Sequence, residues 1–281
     1  MKIRVYSSGS DGNCTLIRAN NTNLLVDAGI CKKSIIENLA KDGLSLNDIN
    51  AILLTHEHTD HTCALATLLK EEGLTIFSTK GTIEALKDGY KVKKKDKLVE
   101  LIDKRVNNNT IIYINRMENT FMYQSIFIND VFVEVLPTFH DAKESIGFVF
   151  HEGDRRLVYI TDTGYVHQDL YPLIANAECY ILESNHDPEI LMHSNRPYPL
   201  KIRIISDHGH MSNEDSMITL ANVMGSNTKL VMHAHISQEC NLSQIVELTR
   251  KKIFDDYGLF YDNVEFVILE PRPTKEYSIW K

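Results

Sequence analysis

Several protein classes are excluded by what the chain lacks. It has no Cys-x-x-Cys pair, and its five cysteines (Cys14, Cys31, Cys63, Cys179 and Cys240) are scattered and odd in number. That pattern argues against a cysteine-rich zinc module and suits free thiols in a reducing compartment. No apolar run approaches the roughly 18–20 residues of a membrane span, so no membrane partner is expected. No stretch has the composition of a domain linker, and no internal repeat occurs. The start, Met1-Lys2-Ile3-Arg4-Val5-Tyr6, reads directly as a strand rather than a secretion signal, which makes the cytoplasm the expected location. Basic excess is absent too: 30 Lys and Arg face 38 Asp and Glu, a formal charge of −8. Taken alone, that balance discourages a nucleic-acid partner.

What remains is ordinary for a globular chain of 281 residues, with 43% hydrophobic and 24% charged content. Short apolar runs of strand length alternate with helical patterns in both halves. Strands are expected at 2–6, 14–19, 24–26, 49–54, 74–78, 131–136, 145–150, 157–160, 179–182 and 229–232, with a final one at 264–269. Helices are expected at 34–41 (stopped by Gly43), 64–69, 83–87, 166–175, after Pro188, and at 214–224 and 242–254. This alternation predicts an α/β fold in one domain spanning residues 1–281, its strands covered by helices. Residues 91–130 are expected to hold short strands at 110–114 and 120–128, and carry no functional signal. Within them, Lys91 to Lys97 contains five lysines. That run reads as a solvated loop or edge strand, with a phosphate-contacting rim as the alternative.

The densest chemistry lies at Thr55-His56-Glu57-His58-Thr59-Asp60-His61. Three imidazoles and two carboxylates follow directly on the apolar run Ala51-Ile52-Leu53-Leu54. Without a metal, such a cluster would leave polar nitrogens to satisfy and would repel itself when protonated. The motif therefore reads as a metal site on the loop leaving a strand. Three more strand ends carry residues of the same kind: His140, Asp162 and His235. With Glu57 off the ligand face, the set offers five imidazoles and two carboxylates. One tetrahedral zinc takes four ligands, so the number suits two metals sharing a bridging carboxylate and a water. Asp27, at another strand end, reads as a residue that orients a ligand from behind. The small-residue loop Ser7-Ser8-Gly9-Ser10-Asp11-Gly12-Asn13 reads either as a plain hairpin loop or as backbone shaped to approach a ligand.

The pattern His56-x-His58-x-Asp60-His61, followed by a His, an Asp and a His each at a strand end, resembles the metallo-β-lactamase superfamily of hydrolases. The resemblance implies a four-layer αββα sandwich. It further implies that His56, His58 and His140 bind a first metal, that Asp60, His61 and His235 bind a second, that Asp162 bridges, and that Asp27 braces the motif. The segments Ser7 to Asn13, Glu183-Ser184-Asn185-His186-Asp187, Gly209-His210-Met211-Ser212-Asn213 and His235-Ile236-Ser237 are similar to the YycJ/WalJ/VicX-type branch, which is associated with exonuclease activity on DNA. In flavodiiron relatives the second motif histidine is a carboxylate; here it is His58, which favours hydrolysis over redox chemistry. Asp162 and His235 are 73 residues apart (235 − 162), too few for the clamp domain of the RNA-processing relatives.

The implied activity is a phosphodiesterase, a 5′→3′ exonuclease on DNA, using two divalent ions (zinc, manganese or iron). Two such ions bring the formal charge from −8 to −4. The two carboxylate ligands, Asp60 and Asp162, leave the site at +2, which favours an anionic substrate. A water bridging the ions would lose a proton near neutral pH and attack phosphorus. His210 is the expected general acid, with His186 and His233 as alternatives. Ser212 is expected to cap a helix from Asn213, with Asp215 in the capping-box position, and that helix end could hold a phosphate. Ser8, Asn13, His186, His210, Ser212 and Asn213 are thus the candidate substrate contacts. Two competing readings use the same residues: a hydrolase of small thioesters, lactones or cyclic phosphodiesters, and a non-catalytic regulatory module.

Overall fold

The computed structural model describes residues 1–280. The chain divides into two compact units. The first comprises Met1–Pro137, Ala142–Ile146 and the chain from Pro271 onward; the second comprises Thr138–Asp141 and Gly147–Glu270.

The first unit opens with β1 (Lys2–Ser7), β2 (Cys14–Ala19), β3 (Thr22–Val26), α1 (Lys32–Lys41), β4 (Ala51–Leu53), α2 (Thr59–Thr62) and α3 (Leu65–Leu68). It continues with β5 (Ile76–Thr79), α4 (Lys80–Val92), α5 (Asp96–Asn107), β6 (Ile111–Ile114), β7 (Ile126–Ile128) and β8 (Val131–Pro137). The second unit holds β9 (Ile146–Glu152, from Gly147), β10 (Arg155–Ile160), α6 (Tyr171–Ile174), β11 (Cys179–Glu183), α7 (Pro188–His193), α8 (Tyr198–Ile204), α9 (Asn213–Val223), β12 (Leu230–Ala234), α10 (Ser243–Asp256) and β13 (Glu265–Ile268). β14 (Tyr277–Ser278) returns to the first unit, so the strand expected last is followed by one more.

In the first unit a sheet runs in the order β14-β1-β2-β3-β4-β5-β6. β1, β2 and β3 pair antiparallel, while β3 to β6 are mutually parallel. Parallel neighbours need crossovers, and the helices supply them. β3 and β4 sit mid-sheet under helices, so Leu24, Leu25, Val26, Ala51, Ile52 and Leu53 are all buried. α1 buries Ile35 and Leu39 and stops where expected, at Gly43 with φ +72°. In the second unit β10, β11, β12 and β13 are parallel and β9 is antiparallel to β10. In both units, then, the loops that leave the C-terminal ends of parallel strands are where an α/β fold places its chemistry.

Two expectations are corrected. The helix expected at 83–87 runs from Lys80 to Val92, through Gly81 and Gly89, because Ile83, Leu86 and Tyr90 fall on one buried face. Residues 96–107, read without a helix, form α5, which buries Ile102 and the guanidinium stem of Arg105. Arg105 donates to the carbonyls of Leu69 (3.1 Å), Glu71 (3.3 Å) and Leu74, tying α5 to the loop after α3. The lysine run is accordingly no edge strand: Lys91 lies in the last turn of α4, Lys97 in the first turn of α5, and the exposed turn between them carries Lys93, Lys94 and Lys95, as the solvated-loop reading expects.

Candidate metal centre

Each ligand side chain expected from the sequence stands just past a strand. β4 ends at Leu53 and delivers His56 to His61, the last of these on the short helix α2. Asp27 follows β3, Asp162 follows β10 and His235 follows β12. Asp27, Asp162 and His235 have φ of 61°, 56° and 55°, a left-handed conformation that non-glycine residues adopt at some cost. Such strain gathers at functional sites. Here it turns three polar side chains out of the line of their strands.

In the first unit, His56, His58 and His61 pack their rings together, with centroids 4.6 Å (His56–His58) and 4.1 Å (His56–His61) apart. Behind them Asp27 is fully buried. Its carboxylate accepts from the Thr55 backbone N–H at 2.8 Å and from the Thr55 hydroxyl at 3.0 Å. Oδ2 also lies 2.7 Å from Nδ1 of His61. Because the Thr55 hydroxyl donates to Asp27, its lone pairs are left to accept, and Nδ1 of His56 is 3.0 Å away. Both rings therefore carry their proton on Nδ1 and present Nε2 as the lone-pair nitrogen. Burial pushes the Asp27 carboxyl up, offset in part by His61 and Thr55.

The small-residue loop does approach closely, but what it approaches is the motif backbone. Asn13 N–H donates to Asp60 O at 2.7 Å, and Gly29 N–H to Asn13 O at 2.8 Å. A Cβ on Gly29 would lie 1.6 Å from Asp60 O, so only glycine fits there. The Asn13 amide bonds Gly9 through both of its atoms and reaches Nε2 of His61 at 3.0 Å. Ser8 is buried nearby in the chain. Glu57 stays apart from the cluster, its Oε1 accepting from Lys143 N–H at 2.7 Å.

In the second unit, one oxygen each from Asp162 and Glu183 and one nitrogen each from His210 and His235 all lie within 4.8 Å of one another. Asp162 Oδ1 is 3.5 Å from Nδ1 of His235 and 3.8 Å from Nε2 of His140. Nδ1 of His140 faces the carbonyl of Gly209 at 2.8 Å. A carbonyl only accepts, so this ring too is protonated on Nδ1. Gly209 is packed under the end of α8; a Cβ there would lie 2.1 Å from Ile204 O. Burial pushes the His140 imidazole down.

Glu183, the last residue of β11, is the functional residue that the sequence reading left without a role. Oε1 lies 2.8 Å from Nδ1 of His210 and 2.9 Å from Nδ1 of His235. Oε2 accepts from Thr163 N–H at 2.8 Å. Both oxygens are thus engaged within the chain, and Oε1, set between two imidazole nitrogens, suits a carboxylate that orients imidazoles. Burial pushes its carboxyl up, but His210 and His235 outweigh that and hold it below the usual range. Its signal was available: it ends a strand, as Asp27 and Asp162 nearly do.

The remaining expected contacts fall as follows. Ser212 caps α9 as expected, accepting from Asp215 N–H at 3.1 Å and donating to Asp215 Oδ2 at 2.6 Å. Asn213 N–H donates to His186 O at 2.9 Å, so two of the first three N–H groups of this helix are already bonded within the chain. The Asn213 side chain joins Ser184 (2.7 Å) and Asn241 (2.9 Å) in a buried network. His186 is buried, and burial lowers its imidazole to about 4. His233 is buried against Phe266, its ring stacked at 6.2 Å, which is a packing role. Cys63, two residues past His61, is exposed, and all five cysteines are free.

The donor chemistry fits divalent metals. Four of the histidines expected to bind metal (56, 61, 140 and 235) have Nδ1 held by an acceptor from the chain, the arrangement that readies Nε2 to bind a cation. Among the described residues, no helix is long and apolar enough to cross a membrane.

Comparison with known proteins agrees. The sequence profile of the Beta-lactamase superfamily domain matches residues 22–234. The chain is 32% identical over 254 residues to exodeoxyribonuclease YycJ of Bacillus anthracis, covering 90% of this chain and 89% of that one. It is 32% identical over 248 residues to exodeoxyribonuclease WalJ of Streptococcus pneumoniae, covering 88% and 86%. In three dimensions it is similar to the metallo-β-lactamase fold protein YhfI from Bacillus subtilis, with a TM-score of 0.64 at 16% identity over 99% of both chains. Together with two mixed sheets of seven strands and their helices, this bears out the expected α/β sandwich of metallo-β-lactamase type.

Proposed function

The chain belongs to the metallo-β-lactamase superfamily, in its YycJ/WalJ branch, and from that premise we propose that it is a metal-dependent exodeoxyribonuclease. The observation that carries the reading is the shared orientation of the imidazoles. Asp27, Thr55, Gly209 and Glu183 engage Nδ1 of His61, His56, His140, and His210 with His235. Structural histidines have no need of so uniform a tautomer.

In this reading residues 1–281 work as one domain. His56, His58 and His140 would hold one divalent ion, Asp60, His61 and His235 would hold a second, and Asp162 would be shared between them. Zinc, manganese and iron all suit this mix of imidazole and carboxylate. Bound there, divalent ions supply an acidified water and offset the charge that builds on the phosphate oxygens. The chain's own groups do the rest. Asp27 and Thr55 keep His61 and His56 from rotating. Glu183 does the same for His235 and accepts from Nδ1–H of His210, so that the His210 imidazolium, protonated on both nitrogens, passes its Nε2 proton to the leaving oxygen and returns to the neutral Nδ1–H form. The expected polarity is 5′→3′, and the expected compartment is the cytoplasm, where the five free thiols persist.

The test is metal analysis of the purified protein, followed by digestion of single strands labelled at either end with that metal restored. The expected result is release from the 5′-labelled end that stops on chelation and in Asp60→Ala. Turnover of small esters with none of DNA would replace the nuclease by a small-molecule hydrolase.

A further inference from the structure

A cleft of about 380 Å³ opens beside His58, within the first unit. Glu57 and His58 line one side; Gly89 and Tyr90 of α4, then Lys93 and Lys95, line the other. Ala85 and Leu86 give it an apolar floor. The volume falls in the range of small-ligand pockets, about 300–1,000 Å³. We propose that this cleft seats the nucleotide adjoining the scissile phosphate, with Lys93 and Lys95 holding its next phosphate. The proposal rests on the nuclease reading above and names where that substrate lies.

Three observations support it. First, the lysines are placed by a built turn. α4 ends at Val92, Lys94 adopts φ +54°, Lys94 N–H bonds Lys91 O at 2.9 Å and Lys95 N–H bonds Tyr90 O at 2.8 Å. A helix end closed in this way holds its flanking residues in register with the helix. Second, the charge is uncompensated. Lys91 pairs with Asp88 at 3.0 Å, but among the described residues Lys93, Lys94, Lys95 and Lys97 form no ion pair. Unpaired ammonium groups lining a groove are how strand-binding proteins track a phosphate backbone. Third, the polarity of the cleft is graded. Glu57 Oε2, at the motif side, is buried with no hydrogen-bond partner among the described residues. A carboxylate there repels phosphate and accepts from the amino group of a base. The nucleoside therefore belongs near Glu57 and the apolar floor, and the phosphate near the lysines.

The experiment compares kcat/KM for a single-stranded oligonucleotide with kcat/KM for bis(p-nitrophenyl) phosphate, whose one phosphate is the scissile one and which has no next phosphate for the lysines to hold. It uses the full metal-restored chain in four forms: wild type, K93E/K95E, Gly89→Phe, and the control K251E/K252E on α10. Gly89 has open space around an added Cβ, so the larger side chain fills the cleft without displacing backbone. Thermal unfolding verifies that each variant is folded. Both cleft variants should lower the ratio of oligonucleotide to diester kcat/KM at least about tenfold. K93E/K95E should also reduce the slope of log KM against log salt by about 0.7, the share of the one phosphate of a single strand that the two lysines no longer neutralise. The control, with the same change in net charge, should keep the wild-type ratio. Wild-type ratios in both cleft variants would overturn the subsite while leaving the nuclease intact. An equal fall in the control would also overturn it, in favour of bulk charge. A wild-type protein that cleaves neither substrate would overturn the nuclease reading, and this proposal with it.

Discussion

Nδ1 of His210 lies 2.8 Å from Oε1 of Glu183, and the same oxygen stands 2.9 Å from Nδ1 of His235. One buried carboxylate thus fixes two imidazoles with different proposed duties, a proton donor and a metal ligand. Partners of this kind are typically worth about 10–100-fold in metal affinity or activity. In Glu183→Gln we expect kcat on DNA to fall by about that range, together with weaker retention of the second metal by equilibrium dialysis. Unchanged metal content and rate would show that His210 and His235 hold their orientation without Glu183.

Thr55 offers a narrower test. Its hydroxyl links Asp27 to Nδ1 of His56. Thr55→Val keeps the shape and removes the link, leaving a buried N–H without its acceptor, which costs about 1–3 kcal/mol. Denaturant unfolding of the metal-free protein should show a loss of that size, and the first metal should bind more weakly. Asp27→Asn should weaken metal binding through His61 instead.

Gly29→Ala probes the approach of the small-residue loop to the motif. An added Cβ would meet Asp60 O at 1.6 Å, so either the loop or the motif must move. We expect a lower melting temperature by calorimetry and loss of the metal that Asp60 and His61 are proposed to share. A variant with wild-type stability and metal content would show that the motif does not depend on this approach.

His186 makes stability depend on pH. Burial lowers its folded-state pKa to about 4, against about 6.5 for an unperturbed histidine. As pH falls from about 6.5, the unfolded chain takes up a proton that the folded chain refuses, so stability drops across that window and levels below about pH 4. The contribution is about 3 kcal/mol at most, from a difference of about 2.5 pH units at about 1.4 kcal/mol each. His186→Gln should flatten the unfolding free energy between pH 6.5 and 4 by a like amount. Parallel pH profiles for the two proteins would contradict this.

Much of the site was legible in the sequence because its chemistry is local. Five ionisable side chains in the seven residues Thr55 to His61, next to an apolar run, leave few uses other than a metal. His140, Asp162 and His235 were legible for a related reason: each follows a short apolar segment that could only be a strand. Gly43 and the Ser212 cap were readable because helix ends need specific backbone and side-chain chemistry. α5 was not, because five lysines and Asn107-Asn108-Asn109 hide the spacing of Leu98, Leu101 and Ile102.

Other features depend on distance in the chain, and only the tertiary structure decided them. Asp27 meets His61 34 residues on, and Glu183 meets His210 and His235 at 27 and 52 residues. Local propensity says nothing about which carboxylate finds which imidazole, since strand order and register set that. The left-handed turns at Asp27, Asp162 and His235 were equally hidden, because those residue types tolerate the conformation without demanding it. The sequence by itself determined that this protein gathers metal-binding donors at strand ends. The fold decided which nitrogen of each ring faces outward, because that rests on hydrogen bonds from residues remote in the chain.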